Sequence, residues 1–294
     1  MKFNKLLKFA AVSFASISIL AACGGKEEGT STSEPADNGD ATSGEVQKIK
    51  VAYALGTKPI TYQDENGEAQ GYDVDAMRAI DEKLEDYEFE FVGTTDDDLL
   101  IGVEQGKYDV GIKNVWYTDE RAQKYIFPKE FLGLSSVGLL LKKENENIKD
   151  LSDFASANLE LAPIAANNAQ YTIVDEYNKA NPDNEVKLVA GDEFTVDQVQ
   201  WVNEGRSDGA IYLEGQYNAQ ILAENGPYHG FIDDVVYNEF MVVKTWPLFN
   251  KKQQEFADAY DEAMTEIKQT QDLQELMKKH YGRDLFEVLE KVDR

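Results

Sequence analysis

Apolar residues recur along the chain at two spacings. Ile49 to Ala54 is a short apolar run, predicting a buried strand. From Tyr72 to Leu84 apolar residues fall at 74, 76, 77, 80 and 84, near helical spacing. Tyr87 to Val92 alternates, with Phe89 and Phe91 on one face, as a strand does. A short helix over Leu99–Gln105, closed by Gly106, and a strand over Tyr108–Ile112 complete a β-α-β-α-β order. That order is the rhythm of a parallel sheet with crossover helices. Ser136–Leu141 adds a strand. The rhythm then restarts: strand Leu159–Ala165, helix Gln170–Asn178, strand Val186–Val189, helix Thr195–Asn203 and strand Gly209–Tyr212. A strand over Phe240–Lys244 precedes a long helical region over Gln253–His280 and a last helix over Leu285–Val292. Two α/β units in sequence predict a cleft between them, because ligands of open α/β sheets bind beyond the carboxyl ends of strands.

The first residues follow neither rhythm. Lys2, Lys5 and Lys8 precede an apolar run from Phe9 to Ala22. That run is too short and too rich in Ser and Ala for a good membrane span. It ends Leu20-Ala21-Ala22-Cys23-Gly24, and small residues before the chain's one Cys resemble a lipobox. The expectation is a lipoprotein signal peptide over 1–22 and an acylated Cys23, carrying palmitate-type chains. Residues 24–45 are Gly, Ser, Thr, Glu and Asp with little apolar, so 23–45 reads as acylated Cys and disordered tether. The other reading is a free Cys beside an ordinary cleavage site.

Composition narrows the partners. The chain has 294 residues, with 29 Lys+Arg against 55 Asp+Glu, a net charge of −26. A field of that sign repels nucleic-acid phosphates and anionic headgroups. One Cys rules out an intramolecular disulfide and a Cys-based zinc site. Two histidines, His229 and His280, both expected on the surface, make a multi-histidine metal site a poor expectation. No H-E-x-x-H or P-loop motif is present.

Five stretches then agree in order with one family. Gly67-Glu-Ala-Gln-Gly-Tyr-Asp-Val-Asp75 resembles the G-x-x-x-G-[FY]-D-V-D stretch of amino-acid-type solute-binding proteins of ATP-driven importers. Leu100–Val110, with Glu104-Gln-Gly-Lys-Tyr-Asp-Val, resembles that family's L-x-x-G-K-x-D. Thr118-Asp-Glu-Arg121 with Phe127-Pro128 resembles T-x-E-R…F-x-x-P, and Gly205-Arg-Ser-Asp208-Gly-Ala resembles G-x-x-D-A. Tyr281-Gly282-Arg283-Asp284 resembles the family's end. The resemblance covers roughly residues 47 to 284 and, in its small motifs, is nearest the cystine-binding branch. It implies an α/β protein of the two-lobed type II periplasmic-binding-protein fold, two open α/β lobes joined by two hinge strands. Lobe 1 would be 46–138 plus 240–294, and lobe 2 139–239, with hinges near Val137–Leu140 and Val236–Phe240.

The resemblance also assigns roles. Arg121 stands where the family's carboxylate-binding Arg stands, and its planar fork suits a carboxylate. The other reading is a surface Arg paired with Asp119 or Glu120. Upstream, where the family commonly has Gly and then Ser or Thr, this chain has Asn114 and Trp116. Asn114 offers an amide; Trp116 is either a pocket wall or core. The family's paired aromatics read approximately Thr57 and Asp96, so the aromatic sandwich is absent. Tyr53 and Tyr62 are each core or ligand wall. The turn Ala166-Asn167-Asn168 replaces the family's G-[ST]-[ST] loop, with Asn167 and Asn168 either ligand-binding or capping. Glu214 is the acid nearest the family's ammonium-binding Asp, one place beyond register. The runs Asp96–Asp98 and Asp81–Glu85 read as solvated faces.

The expectation is therefore a monomeric extracytoplasmic receptor, not an enzyme, without metal or cofactor. It would bind a polar amino acid, with cystine favoured, and deliver it to the transmembrane subunits of an ABC permease. It would sit at the outer face of the cell membrane through its lipid, as a Gram-positive-type lipoprotein. Competing readings are the same fold binding glutamine or another polar amino acid, a dehydratase on that fold, and an acidic surface lipoprotein acting as sensor or adhesin.

Overall fold

The computed structural model describes residues 46–292 except 167 and 192–195. Strand β1 (Gln47–Ala54) is followed by the two-residue strands β2 (Tyr62–Gln63) and β3 (Ala69–Gln70), helix α1 (Tyr72–Asp81), β4 (Tyr87–Thr94), α2 (Asp96–Gln105), β5 (Val110–Val115) and α3 (Asp119–Lys124). Then come β6 (Gly133–Lys142), α4 (Leu151–Ser156), β7 (Ile164–Ala165), α5 (Ala169–Ala180), β8 (Ala190–Gly191), α6 (Gln198–Glu204), β9 (Gly209–Leu213) and α7 (Glu214–Tyr217). The chain ends with β10 (Val235–Phe249), α8 (Gln254–Ile267), α9 (Asp272–Tyr281) and α10 (Phe286–Val292).

β1 lies between β4 and β5 and is parallel to both, as the β-α-β-α-β rhythm predicts. Its side chains alternate between two cores. Ile49, Val51 and Tyr53 join a cluster with Val74, Met77 and Ile80 of α1 and with Phe256, Tyr260 and Met264 of α8. Ala52 and Ala54 face Leu99 and Val103 of α2 instead. Filling both faces explains the unbroken apolar run, since each buried large aliphatic contributes about 1.5–3 kcal/mol.

The sheet continues in the order β4-β1-β5-β10-β6-β9. β10 pairs antiparallel with β5 through Trp246–Phe249 and with β6 from Val235 to Thr245, and its register on β6 shifts between Glu239 and Met241. β9 runs antiparallel to β6, and a parallel bridge from Leu161 to Gly209 leads on toward the β7–β8 pair. There Leu140, Ala162, Val199, Val202, Ala210 and Ile221 form a third cluster.

The start of α1 depends on one glycine. Gly71 has φ 117, and a Cβ there would lie 2.2 Å from the Ile60 carbonyl oxygen. That close approach lets the Tyr72 and Asp73 N–H groups donate to the carbonyls of Pro59 and Ile60, at 3.0 and 3.2 Å, in place of a capping side chain.

Several elements differ from the sequence pattern. The long C-terminal helix is broken into α8 and α9. At the break the Thr270 hydroxyl donates to the Ile267 carbonyl (2.7 Å) and accepts from the Asp272 N–H (3.2 Å), a local side-chain competitor to the helix ladder. The strand expected over 159–165 is interrupted at Pro163, which has no N–H to give: Glu160 and Leu161 make single parallel bridges to Lys187 and Gly209, and Ile164–Ala165 pair with Ala190–Gly191. α3 and α4 have too few turns for a readable periodicity. Each is opened by a cap, Thr118 Oγ1 accepting from the Arg121 N–H and Asp150 Oδ1 from the Asp153 N–H. His280 is not on the surface: its Nε2 lies 2.8 Å from Asp75 Oδ2, and its side chain is 9% exposed.

Candidate functional site

A cavity of about 680 Å³ opens among the ends of α2, β5, α5 and α7. Its first wall comes from the β1 end, α2, β5 and α3: Thr57, Asp96, Asp97, Lys113, Asn114, Trp116 and Arg121 line it. Its second comes from the start of α5 and the turn into α7, with Asn168, Gln170 and Gln216. The carboxyl ends of β4, β5 and β9 thus all deliver chain to the cavity.

Arg121 is half-buried on α3. Its Nη1 donates to the Trp116 carbonyl at 2.9 Å, which fixes the fork and leaves its other N–H groups for a further acceptor. Burial pulls the guanidinium below its ordinary pKa, yet an Arg stays charged. The acids beside it are engaged elsewhere or too far: Glu120 pairs with Lys124 at 3.0 Å, and Asp119 meets the Tyr117 hydroxyl at 3.4 Å. Among the described residues no carboxylate lies within ion-pair distance of Arg121.

Asn114 holds a left-handed backbone, φ 57, which Asn tolerates better than most residues. Two buried groups keep it there. Its N–H donates to Asp73 Oδ2 at 2.8 Å, and its Oδ1 accepts from Ser135 Oγ at 2.8 Å. Asp73 is 2% exposed, and burial pushes its carboxyl up to about 7 against the opposing Asn114 hydrogen bond. Trp116 is 7% exposed and packs in the main core while contributing to the cavity wall.

Asn168 caps α5, its Oδ1 accepting from the Gln170 N–H at 2.9 Å. The capping role is therefore present, and its Nδ2 is not used by a described residue. Asn167 and Cys23 lie outside the described residues.

Two of the expected site residues are not in the cavity lining. Glu214 turns to Arg283, whose Nε donates to Glu214 Oε2 at 2.9 Å. Burial raises the Glu214 carboxyl, and Arg283 partly offsets that rise. Tyr53 is 2% exposed in the main core, held under Gly93, and burial raises its phenol. Two acids read as part of a solvated face, and exposed in the structure, also border the cavity. Asp96 and Asp97 open α2 and line the cavity; Asp96 pairs with Lys113, while Asp97 has no ion-pair partner among the described residues. Their position directly after the carboxyl end of β4, behind the Thr95 cap, is the signal that could have found them. Thr57 and Asp96, standing where aromatics were expected by resemblance, do line the cavity.

Arg121 and the start of α5 give the cavity positive groups and Asp97 a negative one, while Lys113 and Asp96 neutralise each other as a pair. Among the described residues no group of three or more His, Cys, Asp or Glu could hold a metal ion.

Residues 49–283 match the family model of bacterial extracellular solute-binding proteins, family 3. The chain belongs to this family. Among its family 3 relatives, the L-cystine-binding protein TcyJ of Bacillus subtilis is 26% identical over 83% of this chain and 87% of its own. The L-cystine-binding protein TcyK of the same organism is 25% identical over 94% and 96%. Of the solved structures, the probable amino-acid ABC transporter extracellular-binding protein ytmK of Bacillus subtilis aligns with TM-score 0.66 at 22% identity, covering 81% of this chain and 98% of that one. The L-cystine solute receptor of Neisseria gonorrhoeae, in its unliganded open conformation, aligns with TM-score 0.56 at 23% identity over 81% and 94%. The family 3 chain therefore has the two-lobed type II periplasmic-binding-protein fold. Family 3 proteins are extracytoplasmic receptors for solutes.

Proposed function

We propose that the cavity binds a free polar α-amino acid, cystine first and glutamine-like or other polar amino acids behind it, for delivery to the transmembrane subunits of an ABC permease. One observation carries the reading: Arg121, with no carboxylate partner among the described residues, shares a cavity with Asp97, which has no cationic one. An α-amino acid supplies both missing groups. Its carboxylate would dock on the Arg121 fork, with Asn114 and the α5 N-terminus beside it. Its ammonium would meet Asp97, next to the Asp96–Lys113 pair. The names of the cystine-binding relatives favour cystine among the polar amino acids.

Capture would be a hinge closure between lobe 1, residues 46–138 plus 240–294, and lobe 2, residues 139–239. The cavity residues support that division, since 57–121 supply one wall and 168–216 the other. The register shift of β10 between Glu239 and Met241 falls at the second hinge segment. The permease would read lobe geometry, and no cofactor enters the scheme. The lipid on Cys23 would keep the receptor at the outer face of the membrane.

A thermal-shift screen over the free amino acids, cystine included, tests the ligand class. A ligand at 100 times its dissociation constant adds about 2.7 kcal/mol. A response confined to sugars, metals or long peptides would end the amino-acid reading. Lipid labelling tests the anchor: Cys23→Ala should abolish it, and unchanged labelling contradicts the lipobox.

A further inference from the structure

A second cavity, of about 410 Å³, adjoins the first. Asn168, Gln170 and Gln216 line both, so the two chambers share one rim at the start of α5 and the turn into α7. The combined space is far larger than a single amino acid such as glutamine fills.

The far chamber has a chemistry of its own. Among the described residues its lining contains no Lys or Arg, and its one charged group is Asp197. Asp197 Oδ1 accepts from the Gln200 N–H at 2.9 Å and Oδ2 from the Tyr228 hydroxyl at 2.7 Å, which holds the carboxylate in place with lone pairs to spare. The Tyr212 hydroxyl donates to Gln220 Oε1 at 2.8 Å, which orients the Gln220 amide and leaves its Nε2 to donate. The side chains of Gln170, Gln198 and Gln216 make no hydrogen bond to any described residue. The chamber thus sets several uncommitted carboxamides around one fixed carboxylate. Carboxamides both donate and accept, so such a wall suits a group that does the same. It suits an isolated carboxylate poorly, because no cation is there to offset desolvation.

We propose that this chamber is the subsite for the far end of a two-headed ligand: a molecule two amino-acid units long, its first head between Arg121 and Asp97 and its second among Gln198, Gln216, Gln220 and Asp197. The second head's ammonium or N–H meets Asp197, and its carbonyl or carboxylate oxygens meet the amide N–H groups. This assignment rests on the amino-acid reading of the first cavity. The shared chemistry is a second head with both donors and acceptors, joined either through sulfur, as in an amino-acid disulfide, or through a side-chain amide, as in a γ-glutamyl amide whose first unit keeps its α-carboxylate and α-ammonium.

Gln198 lines only the far chamber and has no partner to lose, so its substitutions separate the two heads without touching the first. Calorimetric titration of wild type, Gln198→Ala and Gln198→Trp uses three probes: S-methylcysteine with one head, L-cystine and γ-glutamylglycinamide with two. Two-headed probes should bind wild type at least tenfold tighter than S-methylcysteine. Gln198→Trp, which fills the chamber, should remove that advantage, and Gln198→Ala should reduce it threefold or more. S-methylcysteine should bind all three proteins within twofold. Loss confined to L-cystine identifies a disulfide-joined second head, and loss confined to γ-glutamylglycinamide an amide-joined one. If the one-headed probe binds wild type as tightly as the others, or if Gln198→Trp leaves every affinity unchanged while the protein stays folded, the subsite is wrong and the first cavity's reading stands. If no amino-acid probe binds wild type at all, that reading fails and the subsite falls with it.

Discussion

Arg283 and Glu214 lie 69 residues apart in the chain and form an ion pair, Nε donating to Oε2 at 2.9 Å. The same guanidinium also pairs with Glu239, whose Oε2 accepts from Ser136 Oγ. The pair ties the segment after α9 to the first turn of α7 and to the middle of β10. Gly215 allows the approach, since a Cβ there would lie 2.8 Å from the Tyr281 ring and 3.0 Å from Pro59.

Removing the cation should leave two carboxylates facing each other. The side chains are 36% and 18% exposed, between the surface and the buried case. Arg283→Ala should cost roughly 1–3 kcal/mol, above the usual surface pair and below a fully buried one. Adding Glu214→Gln to that variant should recover part of the loss by relieving the repulsion. Urea denaturation of the single and double variants checks both; an additive double variant contradicts the coupling.

Asp73 should impose a pH dependence on stability. Its carboxyl is raised to about 7 in the folded chain, so between about pH 4 and pH 7 the folded state holds a proton that the unfolded state has lost. Stability is fully retained below the unfolded value and declines as pH rises through 7, by up to about 1.4 kcal/mol per pH unit. Asp73→Asn should flatten that slope, because Asn keeps an oxygen to accept the Asn114 N–H. Melting temperatures of both proteins from pH 4 to 8 decide it.

The parallel half of the fold is legible because β1 is buried on both faces and β4 alternates. The cavity is half legible. Asn114, Trp116, Arg121 and Asn168 come together there, each placed by a strand end or helix start that local pattern reveals. Glu214 looked right because it follows β9, but a partner 69 residues away claims it. Asp96–Asp98 read as a solvated face and are exposed, yet two of them also border the cavity. Only the sheet order, with β4 next to β1 and β1 next to β5, shows that the end of β4 faces the residues of β5. Tyr53 could not be placed from sequence, since a tyrosine at a strand end packs or lines a cleft equally well.

Asp97 should set the preference for an amine. Asp97→Asn keeps size and removes charge, and should weaken an α-amino acid by about tenfold, as a charge-assisted hydrogen bond of about 1.5–3 kcal/mol implies. The same variant should bind the desamino analogue, the carboxylic acid without its ammonium, as well as wild type does. Equal losses for both ligands would show that Asp97 acts on the fold and not on the ammonium.

Arg121 carries the central claim, and calorimetric titration of Arg121→Ala and Arg121→Lys against the amino acid found in the thermal-shift screen tests it most directly. Leaving a ligand carboxylate without its cation costs about 3–5 kcal/mol, so Arg121→Ala should bind roughly 100-fold or more weakly. Arg121→Lys should recover only part, because a point charge makes no pair of parallel bonds. The empty proteins should melt within a few degrees of wild type. A folded Arg121→Ala protein that binds within a few-fold of wild type would contradict the account and leave the carboxylate to Lys113 or the start of α5.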